Sequence, residues 1–228
     1  MNISAENIGK NYIKRSRTVT AVQPTSAEFE NGKLTVIFGR SGSGKTTLLN
    51  ILSGLIKPSS GTVKYDGKDI FSLSDGELSE FRAVNIGYIP QGQSSLSALT
   101  VVENLTLPAA LIGRNVPDDE VDKLLKTVGL ADLKNAYPNE LSGGELRRLA
   151  IARALINKPS VIFADEPTND LDDENTQIVF ELLKKTAQQG TAVIAVTHDS
   201  IAANFADTIY RMNAGELTKQ EGIKREIA

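Results

Sequence analysis

The chain contains no cysteine and a single histidine. The first absence excludes a disulfide framework and any thiolate-ligated metal, and the second excludes a histidine-rich metal centre. Any metal ion must therefore be held by oxygen. A large excess of charge of one sign is also missing, since 25 Lys and Arg against 28 Asp and Glu leave a net charge of −3. The general basic field of a nucleic-acid binder is absent, and no nucleic-acid partner is expected. No uninterrupted apolar run approaches the ~18 residues of a transmembrane helix, and the opening MNISAENIGK lacks the apolar centre of a signal peptide. The chain is expected in the cytosol, without direct membrane insertion, reaching a membrane only through a partner. With 40% hydrophobic and 23% charged residues over 228 positions, it can build a real core under a charged surface.

Several short apolar runs end abruptly in polar or glycine-rich sequence. LTVIF (Leu34–Phe38) runs into GRSGSGKT, VIFA (Val161–Ala164) into DEPTND, and TAVIAV (Thr191–Val196) into THD. Each reads as a buried parallel strand. Helical patterns lie between them, including TTLLNILSGL and TQIVFELLKKTAQQ, the latter closed by Gly190. Strands alternating with helices imply an α/β sheet, in which ligands bind beyond the carboxyl ends of the strands.

The first of these ends is the most specific. GRSGSGKT matches the phosphate-loop pattern, in which glycines let successive N–H groups curl around phosphate oxygens and the following helix adds its positive end. Gly39, Arg40, Ser41, Gly42, Ser43, Gly44, Lys45, Thr46 and the adjoining Thr47 are the candidate nucleotide-binding residues. Lys45 is expected to reach the β- and γ-phosphates and Thr46 to hold Mg²⁺. At the second end Asp165 and Glu166 follow the strand directly. Asp165 suits a Mg²⁺ ligand and Glu166 a group that orients or deprotonates water, although DEPTND is also rich in turn formers that cap local backbone. His198 beyond the third run is either structural or functional on its own evidence, and Gln91 after IGYIP is either a solvated loop amide or a contact to Mg²⁺ and γ-phosphate.

LSGGELRRLAIARAL, Leu141 to Leu155, reads as a helix with two glycines at its start. Ser142 and Glu145 have the spacing of a capping box, which explains the serine and the glutamate but not Gly143 and Gly144. Bare N–H groups at such a start suit a second anion.

Taken in order, GRSGSGKT, YIPQG, LSGGE, VIFADEPTNDLD and VTHD closely resemble the ATP-binding subunit of ABC transporters over nearly the whole chain. The resemblance implies a single α/β domain over 1–228: a P-loop NTPase core of the ABC ATPase type with an N-terminal antiparallel β-lobe and an inserted α-helical subdomain. Residues 1–90 and 159–228 would form the β-lobe and core, and 91–158, approximately, the helical part. It further implies that Gln91 is the Q-loop glutamine, that Asn169 to Asp172 form the D-loop, that His198 contacts the γ-phosphate, and that Tyr12 stacks on adenine, where a plain strand tyrosine is the alternative. Ser142, Gly143 and Gly144 would face the ATP of a second protomer, so that a homodimer sandwiches two nucleotides with Mg²⁺. Glu145 stands where the family commonly has glutamine, and the box spacing would turn it toward the cap. The catalytic set would be Glu166, His198, Gln91 and Lys45, with Thr46, Gln91 and Asp165 around the metal.

Between Gln91 and Leu141 there is no room for the long coiled coil of chromosome-maintenance relatives. FRAVNIGYIPQ followed by LTVVENLTLPAAL resembles the group of macrolide exporters, lipoprotein-release ATPases and antimicrobial-peptide exporters. That implies integral-membrane permease partners and a peripheral position on the cytoplasmic face of the plasma membrane. A soluble ATPase without transport and a low-turnover ATP-dependent tether are the alternatives. The charged tail from Glu216, ELTKQEGIKREIA, is expected to be a solvated or frayed end.

Overall fold

The computed structural model describes residues 1–14 and 17–220. A long hairpin of β1 (Ile3–Lys14) and β2 (Arg17–Phe29) opens the chain, followed by β3 (Leu34–Phe38), α1 (Lys45–Leu52), β4 (Ser60–Tyr65) and the short β5 (Lys68–Asp69). Next come α2 (Asp75–Asn85), β6 (Ile86–Ile89), α3 (Val101–Leu111), α4 (Asp118–Thr127) and α5 (Gly143–Leu155). The chain continues with β7 (Val161–Asp165), α6 (Asp173–Gln188), β8 (Ala192–Thr197), β9 (Thr208–Asn213) and β10 (Glu216–Gln220).

The strands form a four-stranded antiparallel sheet, β2-β1-β4-β5, and a six-stranded sheet, β10-β9-β3-β8-β7-β6. In the second sheet β9, β3, β8, β7 and β6 run parallel, and β10 turns back antiparallel along β9. Every residue of β3, β7 and β8 is buried. These strands are covered on both faces, which is why they read as unbroken apolar runs rather than as alternation.

One core lies between the two sheets around α1, with Ile8, Phe29, Leu48, Leu52, Phe163 and Ile194 fully or almost fully buried. The opposite face of the six-stranded sheet packs on α6 through Val36, Ile162, Phe180 and Val193. A separate core joins α3, α4 and α5 through Leu105, Leu125, Leu149 and Ile156. Three helices start with a reciprocal cap: Ser74 with Glu77, Thr100 with Glu103, and Ser142 with Glu145. Each pair satisfies backbone N–H groups that would otherwise lack partners.

The register brings the polar strand ends together. Phe38 of β3 lies opposite Thr197 of β8, and Asp165 of β7 lies opposite Val196. The phosphate loop, the acidic pair and His198 therefore leave the same edge side by side. Ile89 of β6 pairs with Ala164, so Gln91 leaves that edge one strand further out.

The tail differs from the expectation. Glu216–Gln220 is a strand, paired from Glu216 with Asn213 to Gln220 with Ile209. The turn supports it, because Ala214 and Gly215 both have positive φ, 46° and 85°, the twist that a two-residue hairpin favours. Leu217 packs against the core while its charged neighbours face solvent, so backbone pairing outweighs the charge. Residues 221–228 of the expected frayed end lie outside the described residues.

Candidate functional site

The phosphate loop turns tightly because Gly44, with φ of +106°, closes it against β2, where a Cβ would overlap the carbonyl oxygen of Ala21. The loop is tied to the hairpin behind it: Gly215 N donates to the Ser43 carbonyl at 2.9 Å, and Gln23 N to the Gly215 carbonyl at 2.8 Å. Ser43 Oγ is buried with no hydrogen-bond partner among the described residues. A buried hydroxyl left unpaired is costly, and a phosphate oxygen in the loop would satisfy it.

Lys45 begins α1 and is buried, yet its ammonium has three partners. Nζ donates to the carbonyl oxygens of Gly39 at 2.7 Å and Arg40 at 3.2 Å, and lies 3.1 Å from Glu166 Oε1. The other carboxylate oxygen of Glu166 accepts from the His198 backbone N–H at 3.3 Å and lies 2.9 Å from His198 Nδ1. Glu166 is thus held at both oxygens, and its φ of +46° places a non-glycine residue in the left-handed region. That backbone is sparsely populated and is sustained by surrounding contacts, including Glu166 N to the Val196 carbonyl at 2.9 Å. The His198 ring is largely exposed, its other nitrogen free for a ligand.

Thr46 Oγ1 donates to Asp165 Oδ1 at 3.2 Å. Burial holds the Asp165 carboxyl above its ordinary pKa; the charge of Glu166 adds to this, while the Thr46 hydroxyl and Lys45 oppose it. Two carboxylates near one ammonium leave negative charge that a divalent cation would neutralise. Among the described residues no cluster of three or more His, Cys, Asp or Glu is arranged to hold a metal alone. A hydroxyl and one carboxylate fit Mg²⁺, which binds through few protein oxygens and completes its shell with water and phosphate.

The remaining sequence-derived residues are not in this contact set. Gln91 is exposed and makes no hydrogen bond among the described residues. Tyr12 pairs with Val19 across the β1–β2 hairpin, and the Lys10 ammonium lies 5.4 Å from its ring centroid. Ser142 Oγ and Glu145 Oε2 are 2.8 Å apart, and Glu145 Oε2 also accepts from Ser142 N at 2.7 Å. Glu145 therefore points back to the cap, with its pKa lowered first by that backbone bond and then by the hydroxyl.

The two glycines differ. Gly143 has only Leu171 Cδ2, 3.8 Å from a would-be Cβ, whereas a Cβ on Gly144 would overlap Asn175 Oδ1 and lie 2.7 Å from its Cγ. Gly144 thus admits a side chain of its own chain. Asn175, and Arg147 on the same helix as Gly144, escaped the sequence reading. The available signal was that Gly144, Arg147 and Ile151 follow helical spacing on one buried face, so an arginine stood in an apolar stripe.

Residues 22–169 match the protein family described as ABC transporter. The chain is 39% identical to the lipoprotein-releasing system ATP-binding protein LolD of Saccharophagus degradans, over 96% of this chain and 97% of that protein. It is 36% identical to the bacitracin export ATP-binding protein BceA of Halalkalibacterium halodurans, over 96% and 87%. Among solved structures, the dimeric ATP-binding cassette MJ0796 in a post-hydrolysis state bound to ADP and Pi superposes with a TM-score of 0.87 at 34% identity, over 97% of this chain and all of that one.

Proposed function

The chain belongs to the ABC transporter family as an ATP-binding, ATP-hydrolysing subunit, and from that premise we propose that two copies close head to tail on two ATP molecules to drive an exporter-type permease or mechanotransmission complex. The observation that supports this best is the convergence of Lys45, Thr46, Asp165, Glu166 and His198 at one sheet edge, linked by contacts of 2.9–3.2 Å. The full-length likeness to ATP-binding proteins of lipoprotein-release and bacitracin-export systems supports the exporter class.

In this reading the loop amides and the Ser43 hydroxyl cradle the phosphates, and Lys45 exchanges a loop carbonyl for a γ-phosphate oxygen. Thr46 and Asp165 hold Mg²⁺, which when bound neutralises charge on the phosphate oxygens. Glu166 accepts the proton of the water whose oxygen attacks the γ-phosphorus as the bond to the β-phosphate oxygen breaks. His198 fixes Glu166 through Nδ1 and offers Nε2 to the γ-phosphate. Gln91 senses the γ-phosphate and its metal, and Tyr12 stacks on adenine. Ser142, Gly143 and Gly144 complete the partner's site, so that ATP binds the protomers together and hydrolysis loosens them.

A groove on the same side of the molecule as Gln91 suits a permease segment. Ala83, Ile86, Tyr88, Pro108, Leu111 and Ile112 line this groove of about 280 Å³, with Leu111 78% exposed at its rim. Arg153 lines the same groove and donates to the Ser94 carbonyl at 2.6 Å, beside the segment after Gln91. A permease segment seated there would keep the chain peripheral on the cytoplasmic face. No helix among the described residues is long and apolar enough to cross a membrane.

The test is Glu166→Gln. Turnover should fall about 10²- to 10⁴-fold, the range for a lost general base, with ATP binding retained and a dimer forming in ATP by sedimentation. Normal turnover would remove Glu166 from its role, and a monomer at high ATP and protein concentration would remove the sandwich. Purification of the tagged chain from membranes in mild detergent should bring down a multi-span protein stoichiometrically; cytosolic partners alone would overturn the transport reading.

A further inference from the structure

Arg147 is a buried cation that the chemistry above leaves unused. It lies on α5 and is only 7% exposed. A guanidinium so placed is costly unless its donors are occupied. Its Nη1 donates to the carbonyl oxygens of Pro90 at 3.1 Å and Gly92 at 3.3 Å, the two residues that flank Gln91. Further along α5, Arg153 holds the Ser94 carbonyl. Arg147 also lines a cavity of about 130 Å³ with Gly92, Gly143 and Asp170, where the segment after β6, the start of α5 and the segment between β7 and α6 meet. Burial lowers the pKa of Arg147, and the nearby charge of Asp170 opposes that shift.

We propose that Arg147 is a positioning residue that locks the backbone on both sides of Gln91 to the helix bearing Ser142, Gly143 and Gly144. The physical reason is the bracket. The Pro90 ring restricts its own φ, and the carbonyls before and after Gln91 are both anchored to one side chain. The glutamine side chain stays free to meet a phosphate, while any displacement of its backbone must move α5. Events at a protomer's own nucleotide are thereby linked to the signature segment it offers its partner. Both bonds come from Nη1, and lysine, a compact and more strongly hydrated point charge on a differently shaped stem, is a poorer donor for this buried pair of carbonyls. The inference rests on the roles given above to Gln91 and to the signature segment.

The test uses the full chain with Arg147→Met, Arg147→Lys, Gln91→Ala and the Gln91→Ala/Arg147→Met pair. Amide hydrogen exchange over residues 90–97, affinity for a fluorescent ATP analogue, and kcat are measured on each. Arg147→Met should speed exchange in 90–97 and lower kcat by about ten- to a hundredfold, the size of a lost charge-assisted hydrogen bond. Analogue affinity should change by less than about twofold, because the phosphate loop is untouched. Arg147→Lys should recover part of kcat, and it serves the same comparisons if Arg147→Met does not fold. In the Gln91→Ala background, Arg147→Met should cost less than about twofold more in kcat, since both act through one group. Unchanged exchange over 90–97, or two kcat losses that multiply, would overturn the proposal. If Gln91→Ala alone turns over normally, the role of Gln91 falls, and faster exchange in Arg147→Met would still uphold the link between the loop and α5.

Discussion

Gly144→Ala should destabilise the protein through a neighbour rather than through the helix it occupies. The new Cβ overlaps Asn175 Oδ1, so the Asn175 side chain must turn away. Two contacts go with it: Arg148 Nη1 to Asn175 Oδ1 at 3.3 Å, and Asn175 Nδ2 to Asp172 Oδ1 at 2.9 Å. The backbone cap from Asn175 N to Asp172 Oδ1 at 2.8 Å can remain. Losing two hydrogen bonds of ~0.5–1.5 kcal/mol each, offset by up to ~1 kcal/mol from replacing glycine by alanine in a helix, spans a net loss of roughly 0–3 kcal/mol centred on about 1–2 kcal/mol. For a chain of this size that is a fall in Tm of roughly 2–8 °C. The assay is thermal unfolding of Gly144→Ala, Asn175→Ala and the pair, with Gly143→Ala as control. The control should stay within ~0.5 kcal/mol, since its Cβ meets only Leu171 Cδ2 at an ordinary van der Waals distance. In the Asn175→Ala background, Gly144→Ala should be neutral or stabilising. An equal loss in both backgrounds would refute the reasoning, because the cost would then not come from the clash.

Ser142→Arg should leave nucleotide binding by the isolated protomer intact and depress hydrolysis, because in the proposed dimer the signature segment touches only the partner's nucleotide; loss of monomer binding would place it beside its own phosphate loop. The capping carboxylates Glu77, Glu103 and Glu145 all have pKa values lowered by hydrogen bonds from their cap residues, chiefly the Ser74 side chain for the first and the backbones of Thr100 and Ser142 for the others. Folded values below the unfolded ones mean that this stability is full above the ordinary carboxylate range and is lost as pH falls through the folded values. A triple Glu→Gln variant at these positions should show a shallower loss of stability from about pH 5 to about pH 3, read by denaturant midpoints at each pH; an unchanged slope would refute that assignment.

The strands that place the candidate site residues were plain in the sequence because β3, β7 and β8 are buried on both faces and are made almost wholly of apolar residues. The outer strands were harder. β6 is only partly buried and offers four residues, and β10 has an exposed, charged pattern that pairs all the same because the Ala214–Gly215 turn presents it to β9. Local motifs marked Lys45, Thr46, Asp165, Glu166 and His198, whose contacts follow from parallel register. Contacts between distant segments left weaker traces. The reason for Gly144 lies thirty-one residues away in Asn175, and the partners of Arg147 lie across the chain at Pro90 and Gly92. A capping box accounts for Ser142 and Glu145 from four consecutive letters, but no local pattern says which side chain fills the space a glycine leaves.

The hairpin behind the phosphate loop also decides where a reporter can be attached. Its turn, Ala214–Gly215, touches Ser43, so an insertion or dye there would press on the nucleotide loop directly. From that turn β10 runs antiparallel to β9, and its five residues carry the chain roughly 17 Å toward the other end of the sheet. A fluorophore or affinity handle attached at Gln220 itself is thus held away from the edge that carries the phosphate loop, and immobilising the protein there would leave the face proposed to meet a second protomer open.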